Sequence, residues 1–174
     1  MLTQAFIQEF EQEAATTRRV LERVPQDHLT WKPHAKSMSL GTLALHVAAS
    51  PAFIAEWAVQ DSIEMSGSMD PSPEAATTAE ILAAHDEGVQ KTKAALTTIG
   101  DEGMMKDWKL TTKDGATIMG MPKVALVRAI VMNHTYHHRG QLSVYLRLLD
   151  VPVPSIYGPS ADENPFVAAA PAQA

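Results

Sequence analysis

The chain has 174 residues, 45% of them hydrophobic, 20% charged and 6% aromatic, and its 14 basic and 20 acidic side chains leave a net charge of −6. That length predicts one domain able to bury a core without covalent staples, and an acidic balance with no basic cluster disfavours a nucleic-acid partner held through phosphates. The absence of cysteine excludes disulfides, thiolate nucleophiles and sulfur-rich zinc sites.

Aromatic and β-branched residues are sparse while Ala, Leu and Met are plentiful, a balance that leans towards helix. The first stretch, about Thr3 to Val24, repeats Phe6, Phe10, Ala14 and Leu21 at helical spacing and is stopped by Pro25. Its acids, glutamines and arginines run through the apolar positions, so it does not read as a signal peptide. A polar connector, Pro25 to Met38, carries Trp31, Pro33 and His34. Ser39 then reads as the N-cap of a second helix, Leu40 to about Gln60, with Leu43, His46, Val47, Ile54 and Trp57 towards one side and a kink expected at Pro51.

A loop from Asp61 to Ala76 follows, marked by Gly67, Pro71 and Pro73. Thr78 is expected to cap a third helix, about Ala79 to Ile99, closed by Gly100 in the C′ role. The segment from Asp101 to Met121 suits a short hairpin around Lys113-Asp114-Gly115. Pro122 starts the fourth and longest helix, running to about Leu149. The segment VPVPSIYGPSADENP reads as an ordered, irregular tail and residues 166–174 as a flexible end, leaving residues 1–165 as the single domain. No apolar run is expected to approach the length needed to span a bilayer, and the expected compartment is the cytoplasm. The fold class expected is all-α, a four-helix bundle.

On the fourth helix, alternating steps of three and four residues give Val124, Val127, Val131, His134, His138, Gln141, Tyr145 and Leu148. Polar residues thus take core-facing positions in succession, and buried imidazoles need partners for both ring nitrogens. Histidines at i and i+4 lie about 5–6 Å apart on one face, a spacing that suits two ligands of one metal at about 2.0–2.1 Å. Spacing alone leaves a metal site about even against a hydrogen-bonded polar layer or a solvated face. A third ligand from another helix decides between them, and His46, inside the apolar run LGTLALHVAA, is the best candidate. His137 falls off the stripe and reads as solvent-facing or as part of the pocket rim. His85, beside Ala84, Asp86 and Glu87, reads as solvated, and His28 and His34 as capping or surface residues. The chain has no nucleophile elbow, P-loop or dinucleotide fingerprint.

The run NHTYHHRGQLSVYLR, with His46 in SLGTLALHVAAS upstream, resembles the DinB/YfiT-like family of small metal-binding bundles. The connector TWKPHAKSMSLGTLALH and the closing VPVPSIYGPSADE extend the likeness, which covers about Trp31 to Glu163. The resemblance implies a four-helix bundle with a long crossover connection, often a homodimer, with metal ligands at the positions matching His46, His134 and His138; the imidazole donors themselves suit a divalent ion, zinc or nickel first and then iron. It also implies thiol-dependent transferases and isomerases among the relatives, acting with low-molecular-weight thiols.

Three neutral imidazoles leave open coordination positions, the arrangement of catalytic rather than structural zinc. The leading expectation is therefore a metal-dependent thiol transferase or hydrolase acting on a small molecule. Gln141 is placed to orient a ligand or a nearby water, and Arg139 to bind an anionic group if it turns inward. Asp150 and Glu163 are candidate acids or bases if the tail folds back over the pocket. The alternative is a non-catalytic metal-binding or stress-response protein. A weaker one is a helical dimerisation module without metal.

Overall fold

The computed structural model describes residues 1–65 and 73–167. It is mostly helical, with a small three-stranded sheet at one end. Helix α1 spans Leu2–Leu21 and buries Phe6, Phe10, Ala14 and Thr17 along one stripe. It ends one turn before Pro25, and Arg23 and Val24 close off in tight turns onto Val20 and Leu21. A short 3-10 turn, Gln26–His28, leads into the connector.

Helix α2, Leu40–Val59, starts where the sequence places it: the Ser39 hydroxyl accepts from the Thr42 amide at 3.1 Å, supplying one orphan first-turn donor with an acceptor. The helix continues through Pro51. By length and a mean hydropathy of 1.3 it is long and apolar enough to cross a bilayer, contrary to the sequence expectation, yet 67% of that window is buried within the protein. Its apolarity is that of a central core helix, with Leu43, Ala44, Val47, Ala48 and Ala55 almost wholly covered.

Helix α3, Thr78–Met104, is capped by Thr77 rather than Thr78. The Thr77 hydroxyl accepts from the Glu80 amide at 3.0 Å, and the Glu80 carboxylate returns to the Ala76 amide at 2.7 Å. Gly100 does interrupt it, at φ +63°, but one further turn follows before Met104. Helices α2 and α3 approach closely at Gly88, where an added Cβ would stand 2.9 Å from the Ala48 carbonyl oxygen.

The all-α expectation holds in outline, with a small three-stranded sheet added to the helices. Strands β2, Asp107–Thr111, and β3, Thr117–Pro122, form the expected antiparallel hairpin, with Gly115 at φ +85° in its turn. Strand β1, Ser62–Glu64, lies in the stretch read as loop and pairs parallel to β2. Gly67 and Pro71, also assigned to that loop, lie outside the described residues. The sheet is tied to the helices by Trp108, 1% exposed, whose indole N–H donates to the Trp57 carbonyl at 3.1 Å. Lys123, 3% exposed, adds a second tie through the Val59 carbonyl at 3.1 Å and Asp61 at 2.7 Å.

The last helix is continuous but not uniform. A single turn of α4, Lys123–Leu126, passes into a π-helical stretch, Val127–Asn133, and then into α5, His134–Leu148. The wider π turns shift the face that follows. Beyond Val131 the deepest line is Thr135, Arg139, Leu142 and Leu146, one residue away from the expected stripe, while Gln141 and Leu148 are exposed. The closing segment packs back on α1 and α5 through the ion pairs Arg19–Glu163 and Arg147–Asp162. Phe166 and Val167 are exposed, and the rest of the end expected to be flexible lies outside the described residues.

The close approach at Gly88 gives a direct test of this packing. Replacing Gly88 with valine should destabilise the protein by about 1–3 kcal/mol in chemical unfolding, the usual cost of overpacking a tight contact. An unchanged midpoint would mean that α2 and α3 are not held this close.

Candidate metal centre

Helix periodicity brings His134 and His138 to the same side of α5, and α2 lies alongside with His46 facing them. The three rings converge: His46 stands 5.1 Å from His134 and 4.6 Å from His138 between ring centres, and His134 stands 4.4 Å from His138. One nitrogen from each ring lies within 4.8 Å of the others. The Nε2 atoms of His134 and His138 are 3.0 Å apart, a separation suited to two nitrogens that each bind one ion at about 2.0–2.1 Å.

Burial tunes these rings towards the form a metal requires. All three are half-buried. Loss of solvent pushes the His46 pKa down to about 4, with the nearby His138 and His134 adding to the effect. Burial likewise lowers His134, and it lowers His138 against the opposing effect of the hydrogen bond that His138 makes to the Gln141 amide oxygen. Neutral imidazoles at neutral pH carry the free lone pairs that ligation needs. Among the described residues His134 Nδ1 is buried without a hydrogen-bond partner. Three converging neutral nitrogen donors, one of them on a ring with an unsatisfied buried atom, suit a borderline divalent ion.

The other expected site residues divide. Gln141 is exposed and reaches back one turn, its Oε1 lying 2.7 Å from His138 Nδ1. Arg139 turns inward, at 1% exposure, but it is already engaged. Its guanidinium pairs with the Glu13 carboxylate at 2.7 Å and donates to the Glu13 carbonyl at 3.2 Å, the Thr17 hydroxyl at 3.1 Å and the Tyr157 hydroxyl at 2.7 Å. The Tyr136 and Tyr157 rings lie 5.3 and 5.1 Å from its guanidinium carbon. Arg139 therefore joins α5, α1 and the closing segment rather than standing ready for an anion.

His137 is exposed, as expected, with its ring 4.9 Å from that of His138. His34 is exposed, and its Nδ1 accepts from the Lys36 amide at 3.1 Å. His85 is a correction: it is 5% exposed, lies 3.4 Å from Asp86 and borders a small cleft with Ala14 and Val89. Ala84, Asp86 and Glu87 around it in sequence suggested a solvated face, but α1 covers that side of α3. Glu163 is held by Arg19, and Asp150 follows the far end of α5 in a left-handed conformation at φ +56°. The Glu13–Tyr157 partnership of Arg139 carried no local sequence signal, because Glu13 lies 126 residues away.

Comparison with known proteins places the chain among similar molecules. The sequence model of the DinB family matches residues 1–165. The uncharacterized protein YjoA of Bacillus subtilis is 29% identical over 131 residues, covering 75% of this chain and 80% of that protein. The uncharacterized protein YrdA of the same organism is 26% identical over 161 residues, covering 91% and 89%. Among solved structures, a DinB-like protein from Bacillus cereus superposes with a TM-score of 0.68 at 20% identity, covering 88% of this chain and 97% of its own. The DinB-like YjoA gives 0.67 at 21%, covering 87% and 97%.

Two outcomes follow from this geometry. Arg139→Met should destabilise the protein by about 1.5–3 kcal/mol in denaturant unfolding, since it removes the buried cation whose hydrogen bonds tie Glu13, Thr17 and Tyr157 together. A loss below about 1 kcal/mol would deny the pair its anchoring role. Separately, a histidine at about 4 in the fold and near 6.5 when unfolded takes up its proton more readily in the unfolded chain. In chelator, the melting temperature should therefore fall as pH drops from 6.5 towards 4, and fall less in His46→Gln. Equal slopes for the two proteins would remove His46 from the effect.

Proposed function

The chain belongs to the DinB family, and from that membership and the three-histidine geometry we propose that it binds a divalent metal ion through His46, His134 and His138 and uses it on a small molecule. Zinc or nickel suits the all-imidazole donor set first, and iron is the next candidate. The reaction class we favour is thiol transfer or hydrolysis, with a low-molecular-weight thiol or water as the nucleophile. The arrangement of α1, α2, α3 and α5 supports a four-helix bundle with a long crossover as the scaffold. The homodimer implied by the resemblance and the cytoplasmic location expected from the sequence belong to the same reading.

The observation that carries it is the convergence of three imidazole nitrogens within 4.8 Å from two helices distant in sequence. Three protein ligands leave coordination positions for substrate. A bound divalent ion supplies Lewis acidity there, lowering the pKa of a coordinated water or thiol. The protein's own part is to hold the three donors neutral and aligned. Burial does the first, and Gln141 on His138 contributes to the second.

A non-catalytic metal-binding role is the second reading. It is favoured by the position of the carboxylates considered as acid or base, because Glu163 is engaged by Arg19 and Asp150 lies beyond the far end of α5. General acid–base catalysis needs a proton carrier within hydrogen-bond reach of the reacting group, and in this reading none is required.

Metal analysis tests the central claim. Purified protein should carry close to one divalent ion per chain. Zinc at about 100 times its dissociation constant should stabilise the protein by about 2.7 kcal/mol. His138→Ala should lose both the ion and the stabilisation. A wild type that takes up no zinc, nickel or iron would sink the reading. With metal bound, turnover against a panel of small thiols and acceptors separates enzyme from binder, and a metal-loaded protein silent across the panel would favour the second reading.

A further inference from the structure

A neutral imidazole has one N–H and one bare nitrogen, so every hydrogen bond it makes fixes the other side of the ring. His138 is held on both sides: Nδ1 lies 2.7 Å from Gln141 Oε1, and Nε2 lies 3.0 Å from His134 Nε2. An amide oxygen only accepts. Nδ1 of His138 must therefore carry the proton, which leaves its Nε2 bare. A hydrogen bond between two Nε2 atoms needs one hydrogen, and with His138 Nε2 bare it belongs to His134. The remaining nitrogen of His134, Nδ1, is then a bare acceptor, and among the described residues it is buried without a hydrogen-bond partner.

We propose that Gln141 is the positioning residue that presents His138 Nε2 to the metal, and that the ion takes the place of a proton shared between His134 and His138. The inference rests on the three-histidine reading and deepens it. In the metal-free protein the His134 N–H closes the pair. When the ion enters, His134 Nε2 must give its lone pair to the metal, so its hydrogen leaves for solvent and a solvent proton is taken up at Nδ1. The ring stays neutral and no net proton is released by this step. His138 keeps its tautomer throughout, because Gln141 fixes it in both states. The two ligands on α5 thus behave differently: one is set in advance and one changes tautomer on loading.

Long-range proton–nitrogen NMR of the 15N-labelled full chain reads each ring nitrogen as protonated or bare, and zinc chloride is the probe. In the metal-free wild type we expect His138 protonated at Nδ1 and His134 at Nε2. One equivalent of zinc should move the His134 proton to Nδ1 and leave His138 unchanged. Gln141→Leu, a substitution on an exposed side chain, should mix the His138 tautomers and weaken zinc binding about 10–100-fold, the usual effect of losing an outer partner of a ligating histidine. Gln141→Glu keeps an acceptor in place and should bind zinc at least as tightly as the wild type. A Gln141→Leu protein with His138 still wholly Nδ1–H and unchanged zinc affinity overturns the inference. If the wild type binds no zinc, the metal reading falls, while the metal-free spectra of wild type and Gln141→Leu still decide whether Gln141 sets the tautomer.

Discussion

The burial of Arg139 sets the rotation of the last helix, and the candidate metal site follows from it. An arginine at 1% exposure is tolerable only where its donors are met, and here α1 meets them through Glu13 and Thr17 while Tyr157 closes the cluster. Successive residues on an α-helix turn by about 100°. With Arg139 aimed at α1, the line of Thr135, Leu142 and Leu146 faces the core, and His134 and His138 emerge on the opposite flank towards α2. One helix therefore carries a structural ion pair on one edge, an apolar seam in the middle and a pair of ligands on the other edge. Rotating it to bury the histidines fully would break the Glu13 pairing, and rotating it the other way would move the histidines off His46.

The π-helical stretch is what makes that rotation compatible with the first half of the same helix. Val127, Val131 and Met132 are almost fully covered, and a continuous α-helix would carry their line onto His134, His138 and Gln141. The wider turns over Val127–Asn133 advance the phase, so the core line passes to Thr135 and Arg139 instead. The histidines are thereby left half-buried: covered enough to stay neutral, open enough for an ion and a further ligand to reach them. Gln141 ends up exposed for the same reason, and from the surface it can return to His138.

Much of this was legible in the sequence where the signal was local. The Ser39 cap, the Gly100 interruption, the Asp-Gly hairpin and the i,i+4 histidine pair each depend on residues within a turn of one another, and each is present. What escaped depends on distant partners. Strand β1 is short and takes its identity from pairing with β2 more than forty residues later, so Ser62–Glu64 read as loop. His85 looked solvated because its neighbours in sequence are charged, whereas α1 supplies its cover. The partners that hold Arg139 inward escaped because Glu13 and Thr17 lie at the other end of the chain. A phase shift inside a helix leaves no mark on a stripe counted in threes and fours, and for that reason His134 and His138 were placed on the core line rather than at its edge.

That displacement changes what kind of site the histidines make. Two imidazoles on a sealed core line would need every nitrogen satisfied by protein, and a structural role would follow. At the edge of the core, the same pair can leave one demand unmet, as the buried His134 Nδ1 does, and still be reached from outside. His46 completes the set from α2, the most apolar of the helices, where desolvation is strong enough to bring its pKa down to about 4. The scaffold thus separates two tasks that conflict within one side chain. Apolar packing from α2 keeps the donors unprotonated, and the polar outer edge of α5 supplies Gln141 to orient one of them. An ion at this position would meet ligands prepared by burial on one side and by a hydrogen bond on the other, with the Arg139 cluster holding the two helices in the register that brings them together.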